Sequence, residues 1–202
     1  MNLYFAPGSC SQASHIALHE SGLPFETEKL IPSTMKTESG ADFMEINPKG
    51  YVPTLKMDDG NILTEGAVIL QYIADQNPGS GLAPKAGTLE RYRLQEWLNY
   101  IATEIHKSYG PLFNKALPDE AKINGRNVLT KRLSLVETRL SKTPYLMGDS
   151  FTVCDAYLFV VLNWSDRVGF DLNQFPKIKE YLARIATRPS VLAALRAEGL
   201  IQ

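Results

Sequence analysis

The sequence predicts a mixed α/β domain followed by an all-α domain. Between residues 1 and 76, short apolar runs, segments of helical spacing and turn signals alternate in the order βαβαββα. After a stretch rich in Pro and Gly, from 77 to 84, no strand pattern occurs, and apolar residues recur at spacings of three and four. One crossover unit followed by an antiparallel hairpin favours a small mixed sheet over a fully parallel one.

The elements of the first domain follow from its apolar periodicity and its turn residues. The run Leu3–Phe5, stopped by Pro7-Gly8, is typical of a strand, and Ser11–Ser21 has helical spacing that ends at Gly22. Next come a strand pattern, a short helix, a hairpin around Asp58-Asp59-Gly60 and a final helix. These cover Phe25–Leu30, Ala41–Ile46, Val52–Met57 with Asn61–Leu63, and Glu65–Gln76.

The second domain reads as a helical bundle. We expect domains at 1–77 and 88–202, joined by a linker at 78–87. Thr152 and Asp155 have the spacing of a capping pair at a helix start, and Cys154 between them is expected to be packed and inert. The predicted helices are Thr88–Lys107, Asp119–Leu140, Thr152–Val168, Lys177–Ala186 and Val191–Ala197.

Composition excludes several functional classes. The 202 residues are 44% hydrophobic and carry 21 Lys and Arg against 22 Asp and Glu, so a broad basic surface for nucleic acid is not expected. The apolar runs are too short to span a membrane, and no secretory signal is expected. Two widely separated cysteines indicate free thiols in a reducing compartment, so we expect a cytoplasmic protein.

Cys10 is the strongest candidate for chemistry. It lies between the first predicted strand and the first predicted helix, where unpaired N–H groups and the helix dipole favour a thiolate. A small buried hydrophobic role is equally consistent with its position. Because Ala13 stands three residues on, no internal disulfide cycle is available, and a reactive Cys10 needs an external thiol.

Two further motifs have an ordinary and a functional interpretation. Pro53 either simply opens a strand or forms a cis peptide that exposes the backbone of Val52. Thr64 is expected to cap the third helix, and the capping interpretation is favoured on these residues alone. The alternative is an amino-acid site, in which the Gly66 N–H binds a carboxylate and Glu65 binds an ammonium group.

A polar face is predicted on the first helix of the second domain. Asn99, Thr103 and His106 fall within about 60° of one another in α-helical geometry. Periodicity does not decide between a solvated face and a ligand-binding face. His15 and His19 are expected to be structural, and the Cys and His spacings fit no standard metal site, so no metal is expected.

Five segments together resemble the bacterial beta-class glutathione S-transferases, along essentially the whole chain. They occur in the family's order and at its distances. The segments are Pro7–Ser11, Asn47–Pro53, Leu63–Gly66, Trp97–Ile101 with Glu104–Lys107, and Phe151–Tyr157. The resemblance implies a thioredoxin-like N-terminal domain, a helical C-terminal domain, a homodimer, and glutathione as co-substrate.

The resemblance also implies roles for individual residues. Cys10 would lie beside the glutathione sulfur, with His106 near the same atom, and the two are the implied catalytic residues. Val52 would pair its backbone with the cysteinyl part of the tripeptide, held by a cis Pro53. Glu65 and Gly66 would bind the γ-glutamyl end, and Asn99 and Thr103 would line the helix that faces the ligand.

One position departs from the family pattern. Members commonly have a lysine after the second strand that contacts the glycyl end of glutathione. Here that position is Met35, and Lys36 follows it. Either Lys36 substitutes for the missing lysine or the glycyl carboxylate is held less tightly, so Lys36 is included among the expected site residues.

The expected activity is conjugation of the glutathione thiolate to apolar electrophiles, a detoxification reaction. Ser9, Ser11 or a helix N–H is expected to donate to the sulfur. Tyr109, Phe113 and Trp164 are candidates for the electrophile pocket or for ordinary core. The alternatives are thiol–disulfide exchange or reductive dehalogenation through a mixed disulfide on Cys10, and a non-catalytic interaction module with the same fold.

Overall fold

The computed structural model describes residues 1–202, and it divides into two compact units. The first unit consists of Met1–Ala83 together with Thr187–Gln202, and the second is Pro84–Ala186. The first unit is α/β and the second is helical, which confirms the predicted fold class. The C-terminal residues therefore pack with the first unit, although the sequence pattern joined them to the helical part of the chain.

The first unit contains a five-stranded mixed sheet with strand order β3-β2-β1-β4-β5. Strands β1 and β2 are parallel, and every other neighbouring pair is antiparallel, as the predicted crossover followed by a hairpin requires. The short edge strand β3 is an addition to the predicted order. The strands are β1 Asn2–Phe5, β2 Glu26–Ile31, β3 Lys36–Thr37, β4 Thr54–Lys56 and β5 Ile62–Thr64.

Four helices complete the first unit: α1 Ser11–Ser21, α2 Phe43–Ile46, α3 Gly66–Gln76 and α9 Pro189–Ala197. Helix α1 packs against both α3 and α9, and its residues Ile16, Ala17 and Leu18 are fully buried. This burial removes apolar surface from water and fixes the N-terminal end of α1 relative to the sheet. Cys10 is the residue directly before that end.

The second unit contains α4 Leu89–Tyr100, a π-helix Ile101–His106, α5 Lys107–Phe113, α6 Asp119–Leu140, α7 Val153–Arg167 and α8 Pro176–Ala186. The predicted single helix from Thr88 to Lys107 is thus interrupted by a π-helical stretch. A π-helix has more residues per turn than an α-helix, so it rotates the side chains that follow it. Ile101 and Ile105 nevertheless stay fully buried.

The predicted capping pair at the start of α7 is confirmed. The buried Asp155 carboxylate accepts hydrogen bonds from Thr152 N at 2.9 Å, Leu146 N at 2.9 Å and Tyr181 OH at 3.0 Å. Burial raises the pKa of Asp155, and these donors lower it. The adjacent Cys154 thiol is buried, donates to Leu94 O, and has its pKa raised by burial, so it is unreactive in the folded protein.

Candidate functional site

The loop before α1 is closed by its own serine side chains. Ser11 Oγ donates to Ala6 O at 3.3 Å and accepts from Ala6 N at 3.1 Å, while Ser9 Oγ lies 2.8 Å from Ser11 Oγ. Gly8 has a φ of 65°, which favours glycine in this turn. Since both hydroxyls are used inside the loop and Ser11 is buried, the expectation that they donate to a ligand sulfur is not supported.

Glu198 also holds this loop, from the far end of the chain. Its Oε2 accepts from Gly8 N at 2.8 Å and from Gln12 Nε2 at 3.0 Å, and its Oε1 lies 3.0 Å from His15 Nδ1. The side chains of Glu198 and His15 are almost entirely buried. Sequence analysis missed Glu198, because nothing in the local pattern of residue 198 points to residue 8.

Cys10 and Val52 are brought together. The Cys10 side chain is half-buried, and its Sγ donates to Val52 O at 3.3 Å. The Val52–Pro53 peptide bond is cis, the isomer that the family resemblance implies. Val52 precedes β4 and takes no part in its ladder, so its backbone is not used by the sheet.

A buried asparagine shapes the turn that leads to Val52. Asn47 is 2% exposed, and its Nδ2 donates to Tyr51 O and to Thr54 Oγ1, both at 2.9 Å. Its Oδ1 accepts from Lys49 N at 3.1 Å. The Asn47 side chain therefore bonds to Lys49 inside the turn and to Tyr51 and Thr54 after it. These bonds fix the backbone on both sides of Val52 and the backbone that carries Lys49.

Glu65 and Gly66 stand at the start of α3, beside Pro53. Gly66 is the first helical residue, and a Cβ there would lie 3.5 Å from Pro53 Cγ. Glu65 precedes the helix with a φ of 71°, an unusual value for a non-glycine residue. The expectation that Thr64 caps the helix is wrong, because Thr64 is the last residue of β5 and Glu65 occupies the capping position without a side-chain cap.

The Glu65 carboxylate is paired with a lysine that sequence analysis did not select. Lys49 Nζ lies 2.7 Å from Glu65 Oε1 and 3.0 Å from Thr64 Oγ1. Both charged side chains are largely exposed, at 53% for Lys49 and 65% for Glu65. The available signal was the Asn-Pro-Lys-Gly turn shortly before Val52-Pro53, but the contact of Lys49 with residue 65 depends on the folded hairpin.

Met35 and Lys36 have different surroundings. Met35 is half-buried and packs against a cluster formed by Tyr4, Leu30 and Phe43, which Val52 also contacts. Lys36 is exposed at the start of the edge strand β3. Met35, rather than Lys36, therefore packs on the apolar cluster that Val52 also contacts. Contact of Lys36 with the glycyl end of glutathione stays a prediction.

In the second unit, Asn99 and Thr103 are exposed neighbours. Thr103 Oγ1 donates to Asn99 O at 3.0 Å. His106 lies at the end of the π-helix, is half-buried, and has its Nδ1 2.8 Å from Tyr157 OH. The estimate that all three share one face assumed α-helical geometry, which does not hold between Ile101 and His106.

Burial and the nearby Lys107 ammonium lower the pKa of His106 to about 4. The ring is therefore neutral at physiological pH, with one nitrogen that carries a proton and one that accepts. Because Nδ1 contacts Tyr157 OH, His106 has Nε2 left for a hydrogen bond to a ligand. The ring offers that hydrogen bond without a positive charge.

His106 belongs to an aromatic cluster that contains all three candidates for the electrophile pocket. Trp164 contacts His106 at 4.7 Å, Tyr109 at 5.8 Å and Phe113 at 5.7 Å between ring centroids. Tyr109 is fully buried, its OH lies 2.7 Å from Ser165 Oγ, and burial raises its pKa to about 12. Phe113 is 45% exposed, so it is the member that presents apolar surface to solvent.

Neither a metal centre nor a membrane span stands out among these features. No group of three or more His, Cys, Asp and Glu side chains is arranged to hold a metal ion. No helix combines the length and the apolar character needed to cross a bilayer. His15 and His19 stack on each other with ring centroids 5.0 Å apart, and burial and His15 lower the pKa of His19, which fits their predicted structural role.

Comparison with known proteins gives consistent matches over both parts of the chain. Residues 8–76 match the family model of the glutathione S-transferase N-terminal domain, and residues 100–189 match that of the C-terminal domain. Glutathione S-transferase GstA of Escherichia coli O157:H7 is 44% identical, over 99% of this chain and 100% of its own.

Solved structures agree closely. The chain is 52% identical to BphK, a bacterial GST solved as a ternary complex, with a TM-score of 0.97 over 98% of this chain and 100% of that chain. A sphingomonad glutathione S-transferase complexed with glutathione is 46% identical, with a TM-score of 0.96 over 100% of both chains. A bacterial beta-class glutathione S-transferase of Sphingomonas chungbukensis is 46% identical, with a TM-score of 0.95 over 100% of both chains.

Proposed function

The chain belongs to the glutathione S-transferase family and to its bacterial beta class, and on that premise we propose that Cys10 lies beside the sulfur of bound glutathione during conjugation to an apolar electrophile. Glutathione is the co-substrate of this transferase. The observation that carries the proposal is the contact of Cys10 Sγ with Val52 O. If an extended peptide pairs with the Val52 backbone, its side chain lies beside Val52 O and therefore beside Cys10 Sγ.

The start of α3 supports the orientation of the tripeptide. The Gly66 N–H is at the first helical position, where N–H groups lack helical partners and the dipole favours an anion. Glu65, one residue earlier, supplies a negative charge that suits a cation. This pair suits the α-carboxylate and α-ammonium groups of a γ-glutamyl residue, which are bonded to one carbon atom.

In the proposed reaction the cysteinyl sulfur of glutathione loses its proton to solvent and attacks an electrophilic carbon. A C–S bond forms, and the leaving group departs with its bonding electrons. The N-terminal end of α1 favours the negative sulfur, since Ser9 and Ser11 are occupied within their loop and the Cys10 thiol donates to Val52 O. The resemblance assigns Asn99, Thr103 and His106 to the same ligand, and we keep those assignments within the proposal.

The aromatic cluster is the proposed source of affinity for the electrophile. Its exposed ring, Phe113, is backed by the buried Trp164 and Tyr109, so it offers apolar surface on a rigid base. An apolar ring stacked on Phe113 would lose solvent contact without reorganising the cluster. We therefore expect apolar electrophiles to bind more tightly than charged ones.

A homodimer in the cytoplasm is also part of the proposal. Large apolar side chains are exposed in each unit, among them Tyr51 at 75% and Leu89 at 65%. Neither cysteine forms a disulfide, which is consistent with a reducing compartment. Analytical ultracentrifugation tests the assembly, and a species with the mass of one chain at micromolar concentration would contradict it.

The main test is conjugation of glutathione to a chloronitrobenzene-type electrophile, followed by absorbance. The purified protein should exceed the spontaneous rate, with saturation in both substrates. Isothermal titration with glutathione alone should give one site per chain. Failure to bind glutathione would remove the whole proposal and revive the interaction-module hypothesis, whereas binding without conjugation would remove only the choice of electrophile.

A second candidate function uses Cys10 as a nucleophile. Its thiol forms no disulfide, is half-buried and lies directly before the N-terminus of α1, which supports this role. A relative named disulfide-bond oxidoreductase YfcG, from Escherichia coli K-12, is 27% identical over 96% of this chain and 94% of its own. The Cys10 thiolate would attack a glutathione disulfide, form a mixed disulfide and release a thiolate. A second glutathione would then attack the mixed disulfide, releasing oxidised glutathione and regenerating Cys10. In reductive dehalogenation, the glutathione thiolate would first displace halide and form a C–S bond. The Cys10 thiolate would then attack that sulfur, the carbon would leave with the bonding electrons and take a proton, and the same mixed disulfide would form.

A further inference from the structure

We propose that Lys49 is a specificity-determining residue of this transferase, which exchanges the Glu65 carboxylate for the α-carboxylate of the γ-glutamyl group when glutathione binds. The inference rests on the assignment of Glu65 and Gly66 to that group. Lys49 lies within the segment Asn47–Pro53, but sequence analysis gave it no role. It also explains why the carboxylate expected to bind the ligand's ammonium group already has a partner.

The first step of the argument is this prior occupation of Glu65. Lys49 Nζ lies 2.7 Å from Glu65 Oε1, within range of a charge-assisted hydrogen bond. A ligand ammonium group therefore meets a carboxylate that holds another ammonium group. Two cations on one carboxylate repel each other, so binding requires Lys49 to share Glu65 or to move.

The second step is that the exchange is energetically inexpensive. Exposed ion pairs contribute little to stability, and Lys49 and Glu65 are 53% and 65% exposed. The four-carbon side chain of lysine is flexible, whereas the turn that carries it is fixed through the buried Asn47. The backbone thus keeps Lys49 close to residue 65 while its ammonium group is free to change partner.

The third step is that binding supplies the new partner. The ligand's α-carboxylate is directed to Gly66 N–H, one residue from Glu65, so it arrives within reach of the displaced ammonium group. One ion pair in the free protein becomes two in the complex: Glu65 with the ligand ammonium, and Lys49 with the ligand carboxylate. The charges balance for a ligand that carries an ammonium and a carboxylate group, and the α-carbon of a γ-glutamyl peptide holds these two groups close together.

The test compares two thiol peptides in wild-type protein and in K49M. Glutathione carries the α-carboxylate, and γ-aminobutyryl-cysteinyl-glycine lacks it but keeps the amine. K49M should raise KM and Kd for glutathione about two- to fivefold, leave kcat unchanged, and lose this effect at high salt. For the analogue, K49M should bind as tightly as wild type or more tightly, because the competitor for Glu65 is gone.

Two variants control this experiment. K177M breaks the Lys177–Glu180 pair, which has Nζ–Oε distances of 2.9 Å and similar exposure, and it should leave both peptides unaffected. K49R keeps the charge and should retain most of the affinity for glutathione, which also guards against a folding defect in K49M. Equal loss for both peptides, or no loss for glutathione, would overturn the role of Lys49. A wild-type protein that binds no glutathione would instead overturn the proposed function.

Discussion

The Sγ atom of Cys10 donates a hydrogen bond to the carbonyl oxygen of Val52 over 3.3 Å, between residues 42 positions apart in the chain. A thiolate has no proton to donate, so ionisation of Cys10 would place a negative sulfur against a carbonyl oxygen. In the structure the Cys10 thiol is therefore a hydrogen-bond donor, and its use as a nucleophile is the second function proposed above.

The C10A variant separates these two roles. Without the thiol, disulfide exchange and formation of a glutathione adduct should be abolished, because no sulfur remains to form the mixed disulfide. Conjugation should fall by no more than about tenfold, the value of one neutral hydrogen bond. C10S, which keeps a donor to Val52, should conjugate at nearly the wild-type rate.

Mass spectrometry after incubation with oxidised glutathione measures the adduct on Cys10. Loss of conjugation by several orders of magnitude in C10A would contradict this separation, because it would make Cys10 essential to conjugation as well.

The E198A variant should be strongly destabilised. It removes a buried carboxylate that contacts Gly8 N, Gln12 Nε2 and His15 Nδ1. Breaking such a buried charged network lowers the free energy of unfolding by about 3–5 kcal/mol. Urea denaturation measures this, with E180A as the control, because Glu180 is exposed and its removal should change stability by no more than about 0.5 kcal/mol. Equal stability of the two variants would contradict the role given to Glu198.

His106 should stay neutral down to a pH near 4. Its pKa in the folded protein is lowered to about 4 from the ordinary value of 6.5, so the unfolded chain binds more protons between these values. The contribution of His106 to stability is therefore complete above pH 6.5 and is lost as the pH falls toward 4, by up to about 3 kcal/mol.

Nuclear magnetic resonance titration of the imidazole protons measures this pKa. The H106Q variant identifies the His106 signal by its absence and should show a shallower loss of stability in acid. A His106 signal that titrates near pH 6.5 would mean that the ring is not buried as described.

The F113A variant should weaken binding of the electrophile and not of glutathione. Removing a ring that is 45% exposed takes away apolar contact area, and we expect KM for an aryl electrophile to rise about three- to tenfold. The matched control is I123A, which removes an apolar side chain that is 59% exposed in the same unit. Steady-state kinetics with each substrate varied in turn provide the measurement. A change in KM for glutathione alone would remove Phe113 from the electrophile pocket.

Much of the fold was predictable because local signals agree with it. Helix α1 runs from Ser11 to Ser21 as predicted, since a Pro-Gly turn precedes it and Gly22 ends it in a left-handed conformation. Strand β3 was missed because two residues carry no periodicity. The π-helix was missed because its buried residues, Ile101 and Ile105, are spaced as in an ordinary α-helix, so that the wider turn leaves no trace in the pattern.

The candidate site was predictable where a motif is contiguous and not where the contact is tertiary. The segments that contain Cys10, Val52 and Glu65 each carry a turn or helix-start signal. Lys49 is an exposed lysine whose partner lies 16 residues away across a hairpin. Glu198 lies 190 residues from Gly8, and only the folded chain shows that they meet.

The position of Glu198 determines when the first unit is complete during synthesis. The ribosome makes residues 1–83 first, yet this part of the protein takes its buried carboxylate and α9 from residues 187–202. A nascent chain whose residues 187–202 are still inside the exit tunnel lacks the Glu198 acceptor for Gly8 N, Gln12 and His15. The loop that carries Cys10 therefore reaches its final form only once these residues have left the tunnel and α9 has packed on α1.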